Sequence, residues 1–348
     1  MKILLIGNFA PPYEEESLHN LSLYNRLTAE GHECSVINIS DNPSIEKGFV
    51  DNRNYLGFIL KVLRYGLGKD AVHFLTKGYT RPGLMKMFTA IFLGRFMLSR
   101  TFITLHPELF SVFGQLRSKM GGQMLIHLSF SLSNRVICGD KHTYEVASIH
   151  YKSREKFEMI PSFIQIPSGL SSNETAQLEK MRSKKKAVLF SNTRFPSLSF
   201  DILDILLKKY LDPDTGIAVS FSEKFSSKLE HVIKDTGKRM PDNILFIDYS
   251  NHRMLSLAYA SADMVIRPLS CDGKTLFDGI AVCVRKPETS AGQVFFPVSL
   301  SLVKEGDVSD TCSYLFNTLL IKDEAASSKP DAEDLGRKII GLYSGMGQ

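Results

Sequence analysis

Short apolar runs alternate with helix-period segments along both halves of this chain, which restricts it to α/β architectures. Lys2 to Ile6 reads as a buried strand, Leu18 to Glu30 as an amphipathic helix closed by Gly31, and Glu33 to Ile39 as a second strand. Asn54 to Leu67 reads as helix, Ala71 to Leu75 as strand, Leu84 to Met97 as helix and Thr101 to Leu105 as strand. Ile126 to Leu132 ends a helix, Arg135 to Cys138 is extended, Thr143 to Ile149 is helical, and Phe157 to Ile160 is the last short strand of this half. The segment Pro161 to Lys186 is rich in Pro, Ser and Lys, which predicts a crossing between domains. Alternation then resumes. Strands are expected at 187–191, 217–221, 244–247 and 264–266, helices at 199–210, 226–235 and 253–260, and a terminal helix at 331–343. Such spacing predicts parallel, doubly wound sheets with ligands beyond the carboxyl ends of the strands.

A length of 348 residues favours two domains over one core. We expect a first domain over 1–165 and a second over 166–348, with the terminal helix packing back on the first. The net charge of +5 suits an anionic substrate or an acidic membrane surface. Nucleic acid is disfavoured, because no dense Lys/Arg stripe with interleaved aromatics occurs. Five scattered cysteines without a Cys-x-x-Cys pair argue for a reducing compartment and against a zinc ribbon. The opening MKILLIGNFAPP reads as a first strand rather than a signal peptide. No apolar run reaches the about 18 residues that a membrane-spanning helix needs. A cytoplasmic protein, soluble or peripheral on the membrane, is the expectation.

Four clusters carry candidate chemistry. The stretch from Tyr259 to Gly292 reads as helix end, strand, polar loop and helix, with Asp272-Gly273-Lys274-Thr275 at the helix start. Unpaired helix N–H groups and the dipole favour an anion there. The loop Gly7 to Ser17 follows the first strand and lacks Gly-x-Gly-x-x-Gly, so it is not a dinucleotide site. His106 ends a strand, where an imidazole can donate to a hydroxyl or move a proton. His73 is a weaker analogue. Arg194 follows the first strand of the second half, and its guanidinium suits phosphate geometry. Asp212-Pro213-Asp214 looks like a metal-binding Asp-x-Asp, but its proline and the following Gly216 read as a turn, and no metal is inferred.

Together these segments resemble the family-4-type retaining glycosyltransferases over most of the chain. The resemblance implies the glycosyltransferase-B (GT-B) arrangement: α/β, two Rossmann-like doubly wound parallel-sheet domains facing each other across a cleft. It implies an acceptor domain followed by a nucleotide-sugar domain, and transfer from a nucleotide-diphosphate sugar to a carbohydrate or lipid-linked acceptor without a metal or other cofactor. Arg194, Arg267, Asp272, Gly273, Lys274 and Thr275 would bind the donor, His106 would contact the sugar, and Pro12, Glu16 and Ser17 would line the cleft. The chain departs from the family pattern at Arg285, at Glu288 and in lacking a Lys after Arg194, and three further departures bear directly on activity. Glu14 and Glu15 stand where paired glycines admit a phosphate to bare backbone. Ile280, eight residues after Asp272, stands where a helical glutamate grips the ribose. Asp278 falls on another helical face and does not replace it. The departures leave a second reading open, an inactive paralogue that binds a sugar or a partner. A sugar-nucleotide epimerase is less favoured, because its acid–base groups cannot be assigned.

Two apolar–basic segments, Ile59 to Lys69 and Leu84 to Arg100, fit either peripheral contact with an anionic bilayer or helices that cover a sheet, and the covering role is favoured.

Overall fold

The computed structural model describes residues 1–11, 13–52, 54–76, 81–106, 120–139, 141–151, 153–167, 171–183, 186–191, 215–221, 244–262, 264–268, 280–283, 288–290, 293–295, 300–303 and 335–344. The chain forms two compact units. One comprises Met1–Pro11, Glu15–Phe163 and Glu333–Gln348, and the other Pro12–Glu14 and Ile164–Ala332.

The first unit is a seven-stranded sheet with helices on it. Its strands are β1 (Lys2–Gly7), β2 (Glu33–Asn38), β3 (Val50–Asp51), β4 (Ala71–Thr76), β5 (Arg100–Leu105), β6 (Arg135–Cys138) and β7 (Phe157–Met159). They lie in the order β3-β2-β1-β4-β5-β6-β7, and every pair is parallel. This is the Rossmann order, reversing direction between β1 and β4. Strands covered on both faces read as unbroken apolar runs, and β1 and β4 are buried along almost their whole length. The helices are α1 (Glu15–Ala29), α2 (Tyr55–Gly66), α3 (Arg81–Phe96), α4 (Met120–Leu132) and α5 (Lys141–His150). Asn54 caps α2 by accepting the Gly57 amide at 2.6 Å. Gly31 closes α1 with φ at 81°, a left-handed turn open to glycine. The core lies between the sheet and α2–α4, where Leu4, Ile6, Phe58, Phe74, Ile91 and Phe130 meet. A further helix, α8 (Leu335–Ser344), belongs to this unit.

The second unit has a six-stranded sheet, ordered β11 (Ile244–Asp248), β10 (Thr215–Phe221), β9 (Lys186–Ser191), β12 (Met264–Pro268), β13 (Ile280–Cys283) and β16 (Leu300–Val303). Strands β9, β10, β11 and β12 are parallel. Strands β13 and β16 continue the sheet antiparallel. Strands β14 (Glu288–Ser290) and β15 (Gln293–Phe295) form a small sheet with β8 (Phe163–Gln165). Helix α6 (Ser172–Arg182) and helix α7 (His252–Ser261) are the described α-helices of this unit.

Two differences from the sequence reading are physical. The segment expected as a crossing contains β8 and α6. A capping box starts α6: Ser171 Oγ accepts the Glu174 amide at 3.2 Å, and the Glu174 carboxylate accepts the Ser171 amide at 2.8 Å. The Ser171 amide, then Arg253, hold the Glu174 carboxyl down to about 2. Ile280 was expected on a helix, but Ile280–Cys283 is a strand, with Pro268 opposite Ile280 and Ile266 opposite Val282. Branched Ile280 and Val282 lose rotamer freedom in a helix and fit a pleated strand.

Glycine matters most at Gly216 in β10. A Cβ there would stand 2.7 Å from the Met181 carbonyl oxygen and 2.9 Å from its Cα, so α6 must move. We expect Gly216→Ala to cost about 1–3 kcal/mol, read from the denaturant midpoint. An unchanged midpoint would show that α6 does not approach β10 so closely.

Candidate functional site

The carboxyl edge of the first sheet gathers polar side chains at its reversal point. Gly7 ends β1 against β4, and a Cβ there would meet Leu75 Cβ and the Leu75 carbonyl oxygen at 3.0 Å. The chain beyond is braced by side chains. Asn20 Nδ2 donates to the Asn8 carbonyl at 3.0 Å, the Phe9 amide donates to Asn38 Oδ1 at 3.1 Å, and the Ala10 amide donates to Asn8 Oδ1 at 3.3 Å. Buried Asn38 in turn donates to Asp51 Oδ1 at 2.8 Å. Those amides are therefore committed to the loop rather than presented to a phosphate.

His106 follows β5, and its amide donates to the Thr76 carbonyl at the end of β4, 3.2 Å away. Its ring is buried. Ser162 Oγ lies 3.3 Å from His106 Nδ1, and the His19 ring stands edge-on with centroids 5.1 Å apart. His19 comes from α1, one turn after Glu16, so residues i and i+3 share a helix face. Its Nδ1 lies 3.1 Å from both the carbonyl oxygen and the amide nitrogen of Phe163. A neutral ring satisfies one of these at a time, according to its tautomer. Burial pushes the His19 imidazole down to about 4, partly countered by the Phe163 backbone.

A second chain of contacts runs beneath. His73, central in β4, hydrogen-bonds the Tyr343 hydroxyl through Nδ1, and its Nε2 lies 2.8 Å from Thr104 Oγ1. Burial, and then His19, push His73 down to about 3, while burial raises the Tyr343 phenol well above its usual range. At neutral pH both His19 and His73 are thus uncharged hydrogen-bonding groups. Among the described residues no group of three or more His, Cys, Asp and Glu could hold a metal ion.

The structure brings His106 together with His19 and Ser162, and places Glu16 and Ser17 in the buried first turn of α1. Glu15 and Glu16 occupy the positive end of that helix, where carboxylates interact favourably with the dipole. Arg267 lies in β12 opposite Ala281. Pro12, Arg194, Asp272, Gly273, Lys274 and Thr275 lie outside the described residues. His19, Ser162 and Tyr343 were not singled out in the sequence. A histidine among leucines on the inward face of α1 was the available signal for His19.

No protein-family model matches this chain, and no curated protein matches it. Among solved structures, it is similar to Anabaena HepE in complex with UDP-glucose, at 18% identity over 76% of this chain and 73% of that chain, with a TM-score of 0.46. It is also similar to S. aureus MnaA in complex with UDP, at 15% identity over 78% of this chain and 74% of that chain, with a TM-score of 0.48. A third is an α-glucosyltransferase in complex with UDP and a 13-mer DNA containing an HMU base, at 12% identity over 76% of this chain and 71% of that chain, with a TM-score of 0.48. The fold follows from this chain's own strand order: each unit is an α/β domain, the first on a wholly parallel Rossmann-ordered sheet and the second on four parallel strands extended by two antiparallel ones.

Proposed function

We propose that this protein transfers a sugar from a nucleotide-diphosphate sugar to a carbohydrate or lipid-linked acceptor, with retention of configuration, in the assembly of a bacterial surface polysaccharide. The observation that carries this reading is His106 at the carboxyl edge of a Rossmann-ordered sheet, buried and oriented by Ser162 beside neutral His19. Ligands of such sheets bind at that edge. The sequence resemblance supplies the rest: Arg194, Arg267, Asp272, Gly273, Lys274 and Thr275 would hold the donor, with cations and N–H groups stabilising the leaving diphosphate. Pro12, Glu16 and Ser17 would line the cleft. His106 would donate to a sugar hydroxyl.

Calorimetry with UDP and GDP, followed by transfer assays with their sugars, tests the reading. Wild-type protein is expected to bind one nucleotide, and Lys274→Ala to weaken it about tenfold or more. His106→Gln is expected to retain nucleotide binding and lower turnover about 100-fold. Failure to bind either nucleotide would overturn the proposal.

A second reading, a sugar- or partner-binding subunit without turnover, is favoured by β13. Ile280 lies in an antiparallel strand, where the family would need a carboxylate on a helix. Sugar binding without nucleotide binding is its expected signature.

A further inference from the structure

Helices α2 and α3 lie side by side, with the Tyr55 hydroxyl 2.5 Å from Thr89 Oγ1. Each has two apolar faces. Phe58 and Val62 of α2, and Leu84, Met87 and Ile91 of α3, are buried in the core. On the outer face of α2, Leu56, Leu60 and Leu63 are exposed, and Leu67 continues the stripe in the turn beyond, at i, i+4, i+7 and i+11. On α3, Met85, Phe92 and Phe96 are exposed at i, i+7 and i+11, and Phe88 at i+3 stacks on Phe92 with centroids 5.9 Å apart. Among the described residues twelve large hydrophobic side chains are exposed, and nine belong to α2, α3 or the turns that follow them. The exposure is therefore concentrated rather than scattered, and a concentrated apolar patch marks an interaction surface. Leu98, next to this face, is 93% exposed and held at φ 62°, an uncommon conformation for a bulky residue.

The charge on this face has one sign. Tyr55 to Lys69 and Arg81 to Arg100 contain seven Lys and Arg and no Asp or Glu. Two of the seven have acidic partners, Lys69 pairing with Glu33 at 2.9 Å and Lys86 interacting with Asp41, while the Asp70 carboxylate accepts the Lys2 amide at 2.7 Å. Lys61 donates to the Asp51 carbonyl. Arg64, Arg81 and Arg95 stand exposed around the stripes. A second copy seated here would oppose like charges, whereas lipid phosphates would complement them. No helix among the described residues is long and apolar enough to cross a membrane.

We infer that the α2–α3 face docks on an anionic lipid bilayer, with its leucine and phenylalanine stripes at the headgroup boundary and Arg64, Arg81 and Arg95 against lipid phosphates. This does not rest on the sugar-transfer reading, so vesicle binding and nucleotide binding succeed or fail separately. Co-sedimentation of the full chain with phosphatidylcholine vesicles, with and without about 30 mol % phosphatidylglycerol, is the test. Binding is expected only with phosphatidylglycerol and should weaken at high salt. Leu60→Gln with Phe96→Gln, and separately Arg64→Glu with Arg95→Glu, should each reduce binding about tenfold or more while leaving melting temperatures near wild type, since these side chains are exposed. Three results would each overturn the inference: no binding by the wild-type chain, equal binding to both vesicle types, or a dimer that the Leu60→Gln/Phe96→Gln variant converts to monomer.

Discussion

Tyr343→Ala should destabilise the first unit by about 3–5 kcal/mol, among the larger effects available to one substitution. Tyr343 is contributed by α8, 270 residues from its hydrogen-bond partner His73. Its ring is buried, edge-on to Phe102 with centroids 4.8 Å apart and to His73 at 5.6 Å. Its carbonyl accepts Arg100 Nη1 at 2.8 Å. Truncation to alanine removes the ring contacts, opens a cavity and strands His73 Nδ1 in an apolar setting. Tyr343→Phe separates the terms. It keeps the ring and removes the hydroxyl, and should cost about 1–3 kcal/mol. Hydrogen exchange at β4 and β5, with denaturant unfolding, measures both. A Tyr343→Ala protein with wild-type protection in those strands would show that α8 does not hold the sheet.

Acidification from pH 7.5 to pH 5 should remove about 4 kcal/mol from the same unit, about 2 kcal/mol for each of His19 and His73. Folding depresses both groups, from 6.5 to about 4 and about 3. Between those values and 6.5 the unfolded chain binds more protons than the folded one, so stability rises with pH. Above 6.5 neither state holds the proton and the dependence is flat. Descending, the loss begins near pH 6.5 and continues to about 4 for His19 and about 3 for His73. Carboxylates such as Glu174, ordinarily near 4.5, titrate below this window, so the interval from 6.5 to 5 isolates the histidines. Stability by urea unfolding at several pH values is the measurement. The slope should halve in His19→Gln, and a flat wild-type profile would exclude two buried neutral histidines.

The strands of the first unit were legible because β1, β4 and β5 are apolar on both faces, a pattern that local sequence displays. The helix at α6 was also present as a signal, since Ser171 and Glu174 have capping-box spacing, but the surrounding Pro, Ser and Lys suggested a linker. β13 was read as helix because the Asp-Gly-Lys-Thr loop suggested a helix N-terminus, and pairing with β12 overrode it. β3, two residues long, has no periodicity to detect and exists through the parallel edge it finds on β2.

The site divides in the same way. His106 was visible because it terminates a predicted strand, and position in a strand is a local property. His19, Ser162 and Tyr343 were not, because their roles arise from contacts across 144, 56 and 270 residues. By itself the sequence determined two alternating α/β regions, the buried strands that form their sheets and the histidine at the end of β5. Only the tertiary structure decided which polar groups meet at that edge, that His19 and His73 are neutral there, and which apolar stripe of α2 and α3 is left facing outward. Periodicity reports which residues share a face of their own element. Desolvation and hydrogen bonding depend on what the rest of the chain places against that face.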